Sequence, residues 1–291
     1  MKISVCLPYH ELEYSRATTL EWCQAIDQGP FASVGCGQRL TSYAQDMPVL
    51  LAAAAALTER VRIVPSLYVL PLQSAVAAAK QTASLDVLSG GRLTVGVGIG
   101  GRDQDYRAVG APLERRLQRL DAGVAIMKSC WRGEEPVPGV GPIGPTPVQP
   151  GGPPLWAGAM GPKAIRRAAE WADGIYGFCM NGDPAPAYQQ KQLSTEAWAD
   201  AGRGSKPYLV TGFWYSLAGD ADRRLKQYVY EYLKVAGDAV ARLIAETMTC
   251  STPDTVRRAL DALQATGVDE CFLVPATPEL VEIERLSRLV A

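Results

Sequence analysis

The chain has 291 residues, 47% of them hydrophobic and 20% charged, a balance that buries a large core and excludes a disordered or fibrous protein. Its 29 Lys and Arg stand against 30 Asp and Glu, a formal net charge of -1, which leaves no electrostatic footprint for nucleic acid or an anionic membrane and makes a small molecule the expected partner. No apolar run approaches the length of a membrane span, and the first residues reach His10 and Glu11 before any signal-like core, so the sequence reads as a soluble, cytoplasmic protein.

The cysteines Cys6, Cys23, Cys36, Cys130, Cys179, Cys250 and Cys271 are odd in number and widely spaced. That pattern supports neither a disulfide framework nor a zinc ribbon. His10 is the only histidine, so no multi-histidine metal centre is expected and any Ser-His-Asp triad would have to run through it.

Short β-rich runs alternate with helix-length amphipathic segments throughout, the pattern of βα units around a parallel sheet. Eight runs are predicted as strands: 3–7, 33–37, 61–69, 93–99, 155–159, 174–178, 208–217 and 270–275. Eight such units predict an α/β protein, a (β/α)8 TIM barrel, as one domain over 1–291. Helices are expected over 47–58, over 75–88 and over 113–128, and from Pro162 to near Asp173. The alanine run 52–56 presents a face without bulk that another helix can approach. Residues 133–154 hold 8 Pro and 6 Gly in 22 residues, which precludes regular structure; as a helix-to-strand connection the segment is expected to wrap the face away from the chemistry. Residues 220–247, between the seventh and eighth predicted strands, carry Leu225, Tyr228, Val229, Tyr232 and Leu233 at helical spacing. A helical insertion leaving the C-terminal face is a candidate lid, or an apolar stripe that only packs on the barrel.

Chemistry in such a barrel is built at the C-terminal strand ends. His10 follows the first strand and is a candidate proton donor or substrate contact. Gln38 and Arg39 end the second; a carboxamide there suits a ring edge and a guanidinium suits an anionic cofactor or substrate, or a solvated ion pair. Pro65 cannot donate to a ladder, so a bulge is expected in the third strand. The fourth runs into Gly96-Val97-Gly98-Ile99-Gly100-Gly101. This fits the spacing of a dinucleotide loop but lacks the acidic residue that should follow, and the same glycines suit a flat ligand close to backbone. After the fifth strand, Ala157-Gly158-Ala159-Met160-Gly161-Pro162-Lys163 passes from strand into helix. Free N–H groups, the helix dipole and Lys163 make it the best phosphate candidate, with a plain tight turn as the alternative.

Taken together, Gln38-Arg39, Asp46-Met47, Thr58-Glu59-Arg60-Val61-Arg62-Ile63, Ser84-Leu85-Asp86-Val87-Leu88-Ser89-Gly90-Gly91-Arg92, Gly96-Val97-Gly98-Ile99-Gly100, Asp105-Tyr106 and Ala159-Met160-Gly161-Pro162-Lys163 resemble the bacterial luciferase-like superfamily, most of all its F420-dependent oxidoreductases. The resemblance spans almost the whole chain. It implies a TIM barrel that binds the deazaflavin coenzyme F420, or alternatively FMN, with the ring over the barrel mouth. It also implies a non-prolyl cis peptide at Ser66-Leu67 behind the ring. It further implies phosphate contacts from Ala157 and from Ala159 to Lys163 with Cys179, Met180 and Asn181, ring or ribityl contacts from Gly98, Ile99 and Gln104, and a homodimer. Sugar-phosphate dehydrogenases of the superfamily carry an acidic residue and a histidine where this chain has Gln38 and Arg39, and a glutamate where it has Gly101, so that reaction is disfavoured. Many deazaflavin-dependent relatives have Glu-Arg at Gln38-Arg39. With His10 and Tyr68 as the proton donors expected at the mouth, the first reading is hydride transfer between F420 and a small, fairly apolar organic substrate. The runner-up is an FMN-dependent monooxygenase using molecular oxygen; a non-catalytic ligand-binding barrel is the alternative of another class.

Overall fold

The computed structural model describes residues 1–11 and 13–291. Helix starts follow local chemistry. Ser15 and Thr252 accept from the backbone of Thr18 and Thr255, whose side chains accept in return, so α1 (Arg16–Gln28) and α10 (Pro253–Thr266) open with reciprocal caps. Asp46 and Ser74 cap α2 (Met47–Leu57) and α3 (Ala75–Leu88). Gly267, at φ 81°, ends α10 in the left-handed region that glycine tolerates best. The other helices are α4 (Asp103–Ala108), α5 (Arg116–Trp131), α6 (Pro162–Ala169), α7 (Ala185–Asp200), α8 (Ala221–Leu233), α9 (Asp238–Glu246) and α11 (Leu280–Val290).

The strands are β1 (Lys2–Cys6), β2 (Ser33–Cys36), β3 (Arg62–Pro65), β4 (Tyr68–Val69), β5 (Val95–Gly98), β6 (Leu155–Gly158), β7 (Gly174–Tyr176), β8 (Tyr208–Tyr215) and β9 (Glu270–Pro275). All pair in parallel, in the order β3-β2-β1-β9-β8-β7-β6-β5-β4. β3 and β4 are one interrupted strand: Cys36 pairs with Pro65 on one side of the break and Tyr68 with Val97 on the other. A bridge from Ile63 to Leu93 closes the ring. The molecule is therefore a TIM barrel of eight strand positions, as expected, and the run 61–69 splits at Ser66-Leu67, whose peptide bond is cis as the resemblance implies.

Three expectations need adjusting. The helix predicted over 113–128 runs from Arg116 to Trp131, and the helix from Pro162 ends at Ala169 rather than near Asp173. α4 was not foreseen, because six residues are too few to show a periodicity. The insertion after β8 is present, as α8, a 3-10 turn at Lys234–Ala236, and α9. Residues 133–154 hold no helix or strand; Gln149 pins the segment to Asp86, donating Nε2 to its carboxylate (2.7 Å), and Lys80 Nζ donates to Gly144 O (2.9 Å). No helix among the described residues is long and apolar enough to cross a membrane.

The N-terminal end of the barrel is closed by a buried ionic cluster. Glu270, fully buried at the start of β9, accepts from Ser4 Oγ (2.5 Å), Ser33 Oγ (2.7 Å) and Tyr208 Oη (2.9 Å) and pairs with Arg62. Trp156 stacks on Tyr208 at 5.3 Å, and the Arg62 guanidinium lies 5.2 Å from the Trp156 ring. This cluster fills the floor of the barrel, which leaves the opposite end for a ligand.

Candidate active site

Toward the C-terminal strand ends the inward positions become glycine. A side-chain carbon at Gly98 or Gly158 would sit 2.9 Å or 2.1 Å from Leu67 Cδ1, and one at Gly96 would sit 2.5 Å from Pro65 O. The small residues of β5 and β6 therefore make room for Leu67, which the break between β3 and β4 turns into the barrel. Together they form a smooth apolar platform. Gly37 is hollow for the same reason, since a carbon there would meet Tyr9 Oη at 2.3 Å.

Above the platform stands an aromatic cage built from the β1 loop, the β2 loop and α8. His10 stacks on Tyr43 with ring centroids 5.1 Å apart and meets Tyr228 and Tyr232 edge-on at 5.9 and 5.3 Å. Tyr228 and Tyr232 are one helical turn apart on α8 and so present their rings on one face. Trp214, near the end of β8, joins Tyr232 to Phe178 at 5.2 and 4.8 Å. Arg39 lies over the Tyr232 ring, its Cζ 3.3 Å from the centroid. Arg102 donates Nη1 to Thr41 O (3.3 Å) and Nη2 to Tyr232 O (3.0 Å), tying the β2 and β5 loops to α8.

The electrostatics of the cage are one-sided. Burial, helped by the charges of Arg39 and Arg102, lowers the His10 pKa from 6.5 to about 4. The ring is therefore neutral near pH 7, sharing a hydrogen bond between Nδ1 and Ser42 Oγ (3.2 Å). A single histidine makes this easy to check. In proton NMR the folded protein should show one imidazole titrating near pH 4; a midpoint near 6.5 would put His10 in solvent. The unfolded chain protonates this ring first as pH falls, so His10 makes stability rise with pH between about 4 and 6.5. Glu11 acts oppositely: burial and Glu13 raise its pKa to about 7, so its contribution is present below 4.5 and lost as pH rises through 7. The two effects overlap, which is why a spectroscopic readout is the cleaner one.

The predicted site residues fall into distinct places. His10 and Arg39 are in the cage. Gln38 points back into the wall, its Oε1 accepting from Val69 N (2.7 Å), so it fastens the resumed strand after the break. Tyr68 is displaced from its expected place at the mouth: side chains alternate along a strand, and with Leu67 inside, Tyr68 faces the helical layer and donates its hydroxyl to Gln81 on α3. Ser66 is part-buried beside Cys6, with Oγ 3.6 Å from Cys6 Sγ. Ile99 accepts from the Tyr106 hydroxyl on its backbone, and Gln104 Oε1 is buried without a partner on α4. Ala157 is buried in β6 and pairs with Val97 and Ile175. Ala159 O accepts from Gln190 Nε2 (3.2 Å). Met160 and Lys163 are exposed, nothing stands over Gly161, and Pro162 opens α6, so the backbone turn there is open to an anion. Cys179 is buried against Thr211, while Met180 and Asn181 lie on the rim, where Asn181 Oδ1 accepts from Asp183 N (3.2 Å).

Sequence reasoning gives no site role to Tyr9, Tyr43 or Arg102 and places Tyr228 and Tyr232 only within the 220–247 candidate lid. The four-residue spacing of Tyr228 and Tyr232 was the only visible signal among them, and it served packing equally well. A rim cavity of about 500 Å³ between Asn181–Asp183 and the start of α10 also went unseen; Thr249, Thr255 and Arg258 line it. A second cavity, about 470 Å³, lies outside the barrel wall between α2 and α3 and includes Met47, Pro65, Tyr68 and Leu85.

The chain belongs to the luciferase-like monooxygenase family, whose sequence profile matches residues 1–270. It is similar to an uncharacterized protein of Mycobacterium tuberculosis, 32% identical over 169 residues, 56% of this chain and 59% of that one. A putative coenzyme F420-dependent oxidoreductase of the same species is 30% identical over 135 residues, 40% of this chain and 39% of that one. The match thus spans less than two thirds of the length of either relative. Among solved structures, an F420-dependent secondary alcohol dehydrogenase in complex with an F420-acetone adduct superposes with a TM-score of 0.82 at 19% identity, covering 99% of this chain and 98% of that one. The oxygenating constituent of 3,6-diketocamphane monooxygenase of Pseudomonas putida, in complex with FMN, superposes at 0.73 and 19% identity, covering 100% and 98%. These two likenesses are of fold.

Proposed function

We propose that the chain is an oxidoreductase that transfers a hydride between coenzyme F420 and a small, largely apolar organic substrate. The observation that carries this reading is the barrel mouth: a Gly96-Gly98-Gly158-Leu67 platform under an aromatic cage, with buried unpaired polar atoms at Arg39 Nη1, Arg102 Nε and Gln104 Oε1. Buried polar groups without partners are uncommon in a finished core, and around a flat apolar surface they suit a planar, hydrogen-bonding ring. A bound reduced deazaflavin supplies the hydride. The chain's own part is to orient and to exclude water. Leu67 and the glycines support the ring from below, Ile99 and Gln104 flank it, and the turn from Ala159 to Lys163 with Asn181 holds the phosphate. α8 covers the substrate with Tyr228 and Tyr232. His10, neutral, hydrogen-bonds at the substrate rather than acting as an imidazolium acid, and the proton that completes hydride addition to a carbonyl comes from the medium, balanced by the proton the reduced coenzyme gives up.

The test is anaerobic turnover. The protein with reduced F420 should oxidise the coenzyme when offered a panel of ketones and enones, with no oxygen uptake in air. Substrate-dependent oxygen uptake with reduced FMN, and none of the first reaction, would instead favour the monooxygenase reading, which the family name and the FMN-bound neighbour support. Lys163→Ala should weaken coenzyme binding several-fold, about 1 kcal/mol for one charge-assisted contact, as read by fluorescence titration; unchanged affinity would move the phosphate elsewhere. The reading includes a homodimer through the α2–α3 face, where Val49 and Leu88 are 64% and 51% exposed beside the outer cavity; light-scattering mass at micromolar concentration decides it.

A further inference from the structure

The mouth carries two cations, and neither is paired in a salt bridge with the acids near it. The cationic Arg39 is set among Tyr9, Tyr228 and Tyr232, and its Nη1 is buried with no hydrogen-bond partner. Arg102 spends Nη1 and Nη2 on backbone carbonyls and keeps a buried, unpartnered Nε. The two guanidinium charges are close enough to repel, since Arg39 helps lower the Arg102 pKa below its ordinary value after burial itself. The nearby acid Asp105 exerts its charge on Arg102 without hydrogen-bonding to it, its Oδ1 accepting from both the backbone N (2.8 Å) and the hydroxyl of Thr41. Glu11, its pKa raised to about 7 by burial and Glu13, is incompletely ionised near neutrality. Among the described residues neither arginine forms a salt bridge.

Both guanidinium groups are part-buried, each with one N–H out of reach of water and unpartnered, a cost that is recovered when an anion arrives. The geometry says what kind of anion. A guanidinium whose Cζ sits over a tyrosine ring keeps N–H groups, here the unpartnered Nη1, for the planar oxygen anions that such groups recognise. The walls around it are aromatic, so the rest of the ligand is apolar.

Resting on the oxidoreductase reading, we propose that the substrate is an apolar, planar molecule bearing one carboxylate or phenolate oxygen, and that Arg39 and Arg102 hold that oxygen under α8. Because the ring of Tyr232 lies under Arg39 and its carbonyl accepts from Arg102, the same anion also fixes the position of the covering helix.

Benzoate and benzamide, equal in shape and different in charge, are the probes, and the fluorescence of Trp214 beside Tyr232 is the signal. Apoprotein should bind benzoate more tightly by about tenfold or more, the value of hydrogen bonds to a charged group. Arg39→Gln should bring the two probes to within about twofold of each other, and Arg102→Gln should reduce the preference independently, so a folding defect in one variant leaves the other to decide. The preference should persist with saturating F420 or FMN. Equal binding of the probes, a preference that survives both substitutions, or its loss on cofactor saturation would each overturn the proposal, the last by giving the anion site to the cofactor. Cofactor affinity, measured separately, reports on the oxidoreductase reading; intact cofactor binding with no benzoate preference removes only the substrate class.

Discussion

Glu270→Ala destabilises the fold by about 3–5 kcal/mol, the cost of removing one member of a buried ion pair, with an urea unfolding midpoint shifted accordingly and little change in slope. The carboxylate is fully buried and receives four donors, from Ser4, Ser33, Tyr208 and Arg62, which come from β1, β2, β8 and β3. Its removal leaves the three hydroxyls without their acceptor and strands the Arg62 charge against Trp156 and Tyr208. Arg62 keeps some access to water, its side chain being 27% exposed, so the lower part of the range is expected if solvent reaches the guanidinium. The cluster sits at the end of the barrel opposite the cage, so cofactor affinity of the folded fraction should be unchanged. A loss below 1 kcal/mol would mean that the pair is not closed in solution.

Gly96→Ala acts at the other end. Its new methyl group would lie 2.5 Å from Pro65 O and 2.9 Å from Leu67 Cδ2. A side-chain tip can rotate away, but a backbone carbonyl cannot, so β3 must move where it leads into Ser66 and Leu67. Overpacking of this kind costs about 1–3 kcal/mol. The functional loss should exceed the stability loss, because Leu67 is the platform: coenzyme affinity is expected to fall by about tenfold, the equivalent of 1.4 kcal/mol, in a protein that still folds. Gly101→Ala is the matched control, since nothing lies within 4 Å of that position, and its effect should stay within about 0.5 kcal/mol. Full coenzyme affinity in Gly96→Ala would mean that Leu67 does not support the ring.

The barrel was legible because eight β-rich runs separated by helix-length segments leave few other topologies. Pro65 marked the irregular strand, since a residue without an N–H cannot continue a ladder. What the pattern could not reveal was side-chain direction after the break. Tyr68 reads as a mouth residue if the strand is continuous; once Leu67 turns inward, strand alternation sends Tyr68 to α3. Gln38 reads as a ligand contact by position, yet the resumed strand leaves Val69 N in need of an acceptor, and the carboxamide supplies it. The cage was hidden for a different reason. Arg39, Arg102 and Tyr232 are far apart in sequence and meet only because the insertion folds back over the mouth, and no local periodicity records such a meeting.

The most direct test of the account is a fluorescence titration of the purified apoprotein with F420 and, separately, with FMN. Saturable micromolar binding of F420, weaker or absent for FMN and reduced in Lys163→Ala, is the predicted result. Tight binding of FMN alone, or of neither chromophore, would contradict it.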